Sequence, residues 1–244
     1  MDYSFAIPSR KRADKVKTLK LIKQLERPIF IFVDDEAEKK EYEEYNIGDK
    51  IKIVNCNVTG IQNVRNFIYD YFEEGEKIVT LCDDVKGVYK LVGKCDLKKI
   101  EGKELDDFIV KGFEIAEKNK TNLWGVYPIK NHFFMSKTLS PNNFIIGTFS
   151  GIIISDIRCD KELPLKEDYD FTIKHILKYK KVVRFNNYCV EAEHYKNKGG
   201  CVDYRSKETE QKSIKRLLEL YPNYVRLNTK RENEILLNLR KKKK

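Results

Sequence analysis

Three features of the sequence predict an α/β domain. Short apolar runs of strand length alternate with amphipathic helical stretches. One run, residues 29–33, is apolar throughout, as a strand buried on both faces of a parallel sheet requires. No internal repeat and no linker rich in Pro, Gly or Ser divides the 244 residues. The expectation is a single domain with a mostly parallel central sheet flanked by helices.

The elements follow in order. Residues 4–7 read as a strand ending at Pro8, and Ser9-Arg10-Lys11-Arg12 as a loop. Over 13–25, Val16, Leu19, Ile22 and Leu25 recur at helical spacing and predict a helix that Pro28 breaks. After strand 29–33, Asp34 or Asp35 caps an acidic helix reaching about Tyr45. Residues 51–54 form a strand. Thr59-Gly60 opens a helix carrying Ile61, Val64, Ile68 and Phe72, and Gly75 stops it before strand 77–82. Residues 105–118 place Leu105, Phe108, Ile109, Gly112, Phe113 and Ala116 on one side of a helix. Strands are expected at 123–127, 143–155 and 181–185, and helices at 168–179, 206–221 and 231–240.

Composition excludes several classes. Hydrophobic residues at 41% and aromatics at 11% are too many for a disordered chain, even with 35% charged. No apolar run approaches the roughly 20 residues of a membrane span. The start, Met1-Asp2-Tyr3-Ser4-Phe5, lacks the pattern of a secretory signal. Cys56, Cys82, Cys95, Cys159, Cys189 and Cys201 form no CxxC pair, and are expected to be reduced thiols of a cytoplasmic protein.

Charge is more telling in its distribution than in its total. The net is +10, from 48 Lys plus Arg against 38 Asp plus Glu. Abundant Lys, Asn, Ile and Tyr would also follow from an AT-rich genome. Residues 1–25 carry +5, 26–117 carry −8, and 118–244 carry +13. Arg240 and Lys241 to Lys244 supply +5 of the last figure as a basic tail. An acidic stretch is joined to a basic second half suited to a polyanionic partner.

Four constellations carry chemistry. Cys82-Asp83-Asp84 ends a buried strand, where α/β proteins bind ligands, and paired carboxylates there suit a divalent cation. A capping role is the plainer alternative, and Asp34-Asp35 is an equivalent pair after an equivalent strand. Glu167, Asp168 and Asp170 crowd a helix start; capping accounts for one of the three, and a general base would suit the position. In 194–201, His194, Lys198, Gly199 and Gly200 combine a possible metal ligand, a cation and close backbone approach, with Arg205 just after. A flexible basic loop is the alternative there. Ser9-Arg10-Lys11-Arg12 and Gly60 to Asn66 follow strands at which a nucleotide could dock. Neither matches a Walker or dinucleotide glycine pattern.

The order of these motifs resembles a GT-A (Rossmann-like) glycosyltransferase. The chain runs Ile7-Pro8-Ser9-Arg10, Gly60…Val64-Arg65-Asn66, Asp83-Asp84, Gly151, Glu167-Asp168-Tyr169-Asp170, then His194 with a Gly-Gly loop. It is most similar to the TET-associated glycosyltransferase family of phages, related to the base J glucosyltransferases. The resemblance implies a UDP-sugar co-substrate, a divalent metal (Mn or Mg), and transfer to the hydroxyl of a hydroxymethylated pyrimidine in DNA. It also implies action in the host cytoplasm. Carried over, Pro8, Ser9, Arg10, Arg65, Asp83, Gly151, Lys198, Gly199 and Gly200 would bind the nucleotide-sugar. Asp84, His194 and Asp83 would hold the metal, and Glu167, Asp168 and Asp170 would serve catalysis. Relatives often carry a third acid where this chain has Cys82. The expected domain spans 1–239, with 1–117 mainly on the donor side, 118–239 mainly on the acceptor side, and 240–244 a tail. Rival readings are a glycosyltransferase for glycan or protein acceptors, a non-catalytic DNA-binding module, and a nucleotidyltransferase.

Overall fold

The computed structural model describes residues 1–46, 48–193, 200–203 and 205–239. The chain builds β1 (Ser4–Pro8), α1 (Leu19–Ile22), β2 (Ile29–Val33), α2 (Glu36–Tyr45), β3 (Ile51–Asn55), α3 (Ile61–Tyr71) and β4 (Lys77–Leu81). A hairpin follows, β5 (Val85–Val92) with β6 (Asp96–Ile100), then α4 (Gly102–Lys118), β7 (Leu123–Tyr127), β8 (Leu139–Ser140) and β9 (Phe149–Ile153). Last come α5 (Glu167–Tyr179), β10 (Val183–Ala192), α6 (Lys207–Leu220), β11 (Val225–Leu227) and β12 (Ile235–Leu237).

The main sheet has the order β3-β2-β1-β4-β9-β7-β10-β5-β6, with β8 also on β10. Seven of these ten strands run one way, and β5, β8 and β9 run against them. The sheet is thus mostly parallel in direction. Its central strands are buried on both faces, because their alternate residues enter different cores. Phe5 and Ile7 of β1 and Ile29, Ile31 and Val33 of β2 face one core with α1 and α4. Ala6 and Phe32 face the other, with α3, α5 and α6. The unbroken apolar run of β2 is the sequence consequence of serving both.

The predicted helix over 13–25 shrinks to a 3-10 turn at Ala13–Lys15 and the four residues of α1. The reason lies across the fold. Thr18 donates its amide to the Asp83 carbonyl at 3.1 Å, and its hydroxyl accepts from the Val85 amide at 3.0 Å. These bonds tie the segment to the turn after β4 and interrupt the helix ladder. The apolar positions Val16, Leu19, Ile22 and Leu25 are still buried.

Three further expectations change. Only Phe149–Ile153 of 143–155 is strand, and what precedes it is a loop reaching α5. The expected helix at 231–240 is instead β12, paired antiparallel with β11 and burying Ile235 in the second core. The β5–β6 hairpin, turning at Gly93 with φ +65°, was not expected.

His175 of α5 is fully buried, its Nδ1 2.8 Å from the Phe171 carbonyl and its Nε2 without a hydrogen-bond partner among the described residues. Burial pushes its pKa down from 6.5 to about 4. Between these values the unfolded chain binds the proton and the folded one does not, so stability rises with pH. The contribution is full above pH 6.5 and is lost as pH falls toward 4, with a span of about 3 kcal/mol. The expected result is that wild type loses this much stability relative to His175→Gln across the window, read by denaturant titration at each pH. Equal pH slopes for the two proteins would refute it.

Candidate active site

A cleft of about 410 Å³ lies where β1 and β4 end, walled on its far side by the loops before β9 and α5. Pro8, Ser9 and Arg10 line it, as does Arg65 from the second turn of α3. Asp83 and Asp84 form its floor, 4% and 6% exposed.

The two aspartates do different things. Asp83 Oδ2 accepts from the Ser9 hydroxyl at 2.6 Å, and Oδ1 from Arg12 Nη1 at 2.6 Å. Because Ser9 spends its proton on Asp83, the Tyr42 hydroxyl donates to Ser9 at 2.8 Å. Tyr42 in turn accepts the Arg12 amide at 3.0 Å. Asp83 is thus saturated by a closed network that fixes the loop after β1. Burial raises its pKa, against the opposing pull of Arg12 and Ser9. Asp84 Oδ1 is buried without a hydrogen-bond partner among the described residues. The Asp84 carbonyl accepts the Glu193 amide at 3.2 Å, so the end of β10 reaches this floor.

The equivalent pair after β2, Asp34 and Asp35, has contacts of its own. Asp35 caps α2 by accepting the Glu38 amide at 2.9 Å. Asp34 lies 2.7 Å from Arg10 Nε as an ion pair on the cleft wall. Burial raises the Asp34 pKa and Arg10 counters it.

The three acids at the start of α5 also separate. Glu167 accepts from Arg65 Nε at 2.8 Å, and Arg65 Nη2 donates to the Gly147 carbonyl at 3.0 Å. Burial works against the Arg65 charge, and its negative neighbours, Glu167 foremost, more than offset it, so its pKa stands well above the ordinary value. Asp168 keeps an edge on the cleft and accepts the Gly147 amide at 3.2 Å. Burial, and then the adjacent Glu167 charge, push its carboxyl up to about 7. Asp170 is fully buried and points into the second core. It accepts from Tyr221 just after α6, from Lys174 at 3.0 Å and from the Asp160 amide at 2.8 Å. These contacts correct the expectation for Asp170, which does not line the cleft. They also leave Glu167 committed to Arg65, whereas Asp168 remains presented.

Gly151 is likewise corrected. It lies mid-strand in β9, where a Cβ would stand 2.0 Å from Trp124 Nε1. The glycine makes room for the fully buried indole and is not part of the cleft. Gly151→Ala is expected to destabilise by about 3 kcal/mol through overpacking, or to prevent folding. Trp124 is the sole tryptophan, so its fluorescence reports the loss; an unchanged denaturation midpoint would overturn the assignment.

Gly200 lines the cleft at φ +60° and donates its amide to the Arg10 carbonyl at 3.2 Å. His194, Lys198 and Gly199 lie outside the described residues, as does the tail 240–244. No cluster of three His, Cys, Asp or Glu side chains able to hold a metal occurs among the described residues. No helix among them is long and apolar enough to cross a membrane.

Some contacts around the cleft had no local sequence signal. Glu210 of α6 pairs with Lys166 at 2.7 Å and with Arg205 at 2.6 Å, clamping two cations that line the cleft. Lys166 holds a left-handed conformation, φ 63°, just before α5. Phe144 stacks on Tyr169 with centroids 4.3 Å apart, forming an aromatic wall.

The chain is similar in shape to UDP-glucose pyrophosphorylase complexed with UDP-glucose, at TM-score 0.45 and 7% identity over 90% of this chain and 100% of that one. It is also similar to 4-diphosphocytidyl-2C-methyl-D-erythritol synthase from Anaerococcus prevotii DSM 20548, at TM-score 0.44 and 12% identity over 88% and 95%. No curated protein matches the sequence. The profile of the TET-Associated Glycosyltransferase family matches residues 3–200, which span β1 through β10 and nearly all of the cleft. With that much of the fold and the cleft inside the match, the chain belongs to the TET-associated glycosyltransferase family.

Proposed function

We propose that this glycosyltransferase moves a sugar from a UDP-sugar to the hydroxyl of a 5-hydroxymethylpyrimidine base in DNA, with Mn or Mg held at Asp84. The observation that carries the reading is the contrast between saturated Asp83 and Asp84, whose buried Oδ1 has no partner among the described residues. A hard cation takes carboxylate oxygen and completes its shell with phosphate oxygens and water, so one protein carboxylate fits it. Bound there, the ion would neutralise the leaving diphosphate. His194 is proposed as a further ligand, and Lys198 and Gly199 as donor contacts. Asp83 holds the Ser9–Arg12 loop in place, and Cys82 occupies a position where relatives often have an acid.

Pro8, Ser9 and Arg10 form the nucleotide side, and residues 1–117 supply most of it. Residues 118–239 supply most of the acceptor side, including the Phe144–Tyr169 wall on which a base can stack. Asp168 is the base that takes the acceptor proton, since a carboxyl near 7 accepts one at neutral pH. A base within a duplex must leave the stack to arrive there.

The test incubates the protein with UDP-sugars and Mn, with and without hydroxymethylcytosine DNA, and reads nucleosides by mass spectrometry and free UDP. A sugar-bearing nucleoside is the expected product. UDP release that ignores DNA would point to a glycan or protein acceptor. Failure to bind any donor with Mn present would favour a bare DNA-binding module.

A further inference from the structure

The most exposed large apolar side chains among the described residues are neighbours, Phe133 at 80% and Phe134 at 67%. Their display is built. The Asn131 side chain accepts the Phe133 amide at 3.1 Å, and the Met135 amide donates to the His132 carbonyl at 3.1 Å. Met135 is buried beside Leu91 and Cys189, and the Ser136 amide donates to the Asn186 carbonyl at 3.1 Å. On the other side Pro128 and Ile129 line the cleft. The turn is therefore stapled at both ends, and holds two rings in solvent four residues from the cleft wall. Exposed apolar clusters of this kind mark interaction sites.

Charge indicates the partner. Around the turn, residues 129–137 contain Lys130 and Lys137, and no Asp or Glu. Lys130 pairs with Glu191 of β10 at 2.9 Å, and Lys137 is exposed. Aromatic rings in a segment free of acids fit a polyanion with an apolar interior, which is a nucleic-acid duplex.

We propose that Phe133 and Phe134 are a wedge that enters the base stack of duplex DNA and fills the gap left when the acceptor base turns out into the cleft. The proposal rests on the DNA-acceptor reading. The two rings are positioning residues: they replace stacking lost by the neighbouring base pairs and touch no reacting atom.

The test compares wild type with the Phe133→Ala, Phe134→Ala double variant. Both side chains are exposed, so the fold does not depend on them. One hydroxymethylcytosine oligonucleotide is offered as a single strand, as a duplex, and as a duplex mismatched at the target. The variant is expected to lose roughly ten-fold or more on the duplex, to keep its single-strand rate, and to recover part of the loss on the mismatch, where unpairing is easier. A 2-aminopurine beside the target should brighten with wild type and not with the variant. Equal losses on single strand and duplex, or no loss on either, would overturn the wedge while leaving the DNA acceptor standing. UDP release by a wild type that glycosylates neither DNA form would overturn both. Binding of wild type, but not the variant, to phosphatidylserine vesicles with no effect on duplex transfer would reassign the rings to a membrane surface.

Discussion

Asp84→Asn is expected to lower sugar transfer by roughly two to three orders of magnitude, the scale on which one preorganised electrostatic contact to a developing charge acts. The fold should survive. Asp84 Oδ1 has no hydrogen bond to lose among the described residues, and removing a buried carboxylate's charge leaves apo stability unchanged or raised by about 1 kcal/mol. Asp83→Asn should behave in the opposite way. It removes the carboxylate charge that balances Arg12, which is 8% exposed, and leaving that buried guanidinium without its counter-charge costs about 3–5 kcal/mol. Donor turnover and thermal denaturation of the two variants together decide the matter. If Asp84→Asn retains transfer, the cation site is elsewhere and Asp34 should be tested next. If it unfolds, Asp84 is structural and the division of labour is wrong.

Asp168→Asn is expected to lower kcat by about a hundred-fold or more while changing donor KM little, as for loss of a general base. In wild type the rate should rise with pH through about 7, because only the ionised carboxylate can take the proton. The variant should lose that rise. Stability moves the other way. The folded pKa is raised, so the folded protein binds more protons than the unfolded chain between about 4 and 7, and Asp168 costs stability as pH climbs through that window. Asp168→Asn removes the cost, so it should be at least as stable as wild type at pH 8. This slope opposes that of His175 over the same range, which is why each is read as a difference between wild type and its own variant. A variant with normal kcat and an unchanged pH profile would exclude Asp168 as the base.

Local pattern revealed most of the frame. The runs that became β1 to β4, β7 and the helices α2 to α6 were readable because each carries one dominant period and a clear stop, such as Gly75 after α3. The misreadings came where a long-range contact outweighed local preference. Residues 13–25 have helical spacing, but Thr18 is bonded to the turn after β4. Residues 231–240 have helix-forming composition, but Ile235–Leu237 within them pair with Val225–Leu227 across a turn closed by the Asn228 amide donating to the Glu234 carbonyl at 3.0 Å. The β5–β6 hairpin had a signal, with Gly93 between stretches that bury Val85, Val88 and Leu91 on one side and Ile100 on the other.

The cleft divides similarly. Its acidic motifs and the Pro8-Ser9-Arg10 loop could be placed from sequence, because residues at the carboxyl ends of parallel strands converge there. Which acid does what could not. Adjacent side chains such as Asp83 and Asp84 point in different directions off one turn, and what each meets depends on Ser9, Arg12 and Glu193, supplied by other parts of the chain. Likewise Glu167, Asp168 and Asp170 meet a buried arginine, the Gly147 amide at the cleft edge and a tyrosine just after α6. The alternating α/β pattern, the family resemblance and the set of candidate carboxylates were therefore determined by sequence alone, since period and motif order are local properties. Only the tertiary structure separated these acids by their surroundings, placing Asp83, Glu167 and Asp170 in contacts with side chains distant in sequence while Asp84 and Asp168 line the cleft without such an ion pair among the described residues, because which partner a carboxylate meets is set by the packing of the whole chain.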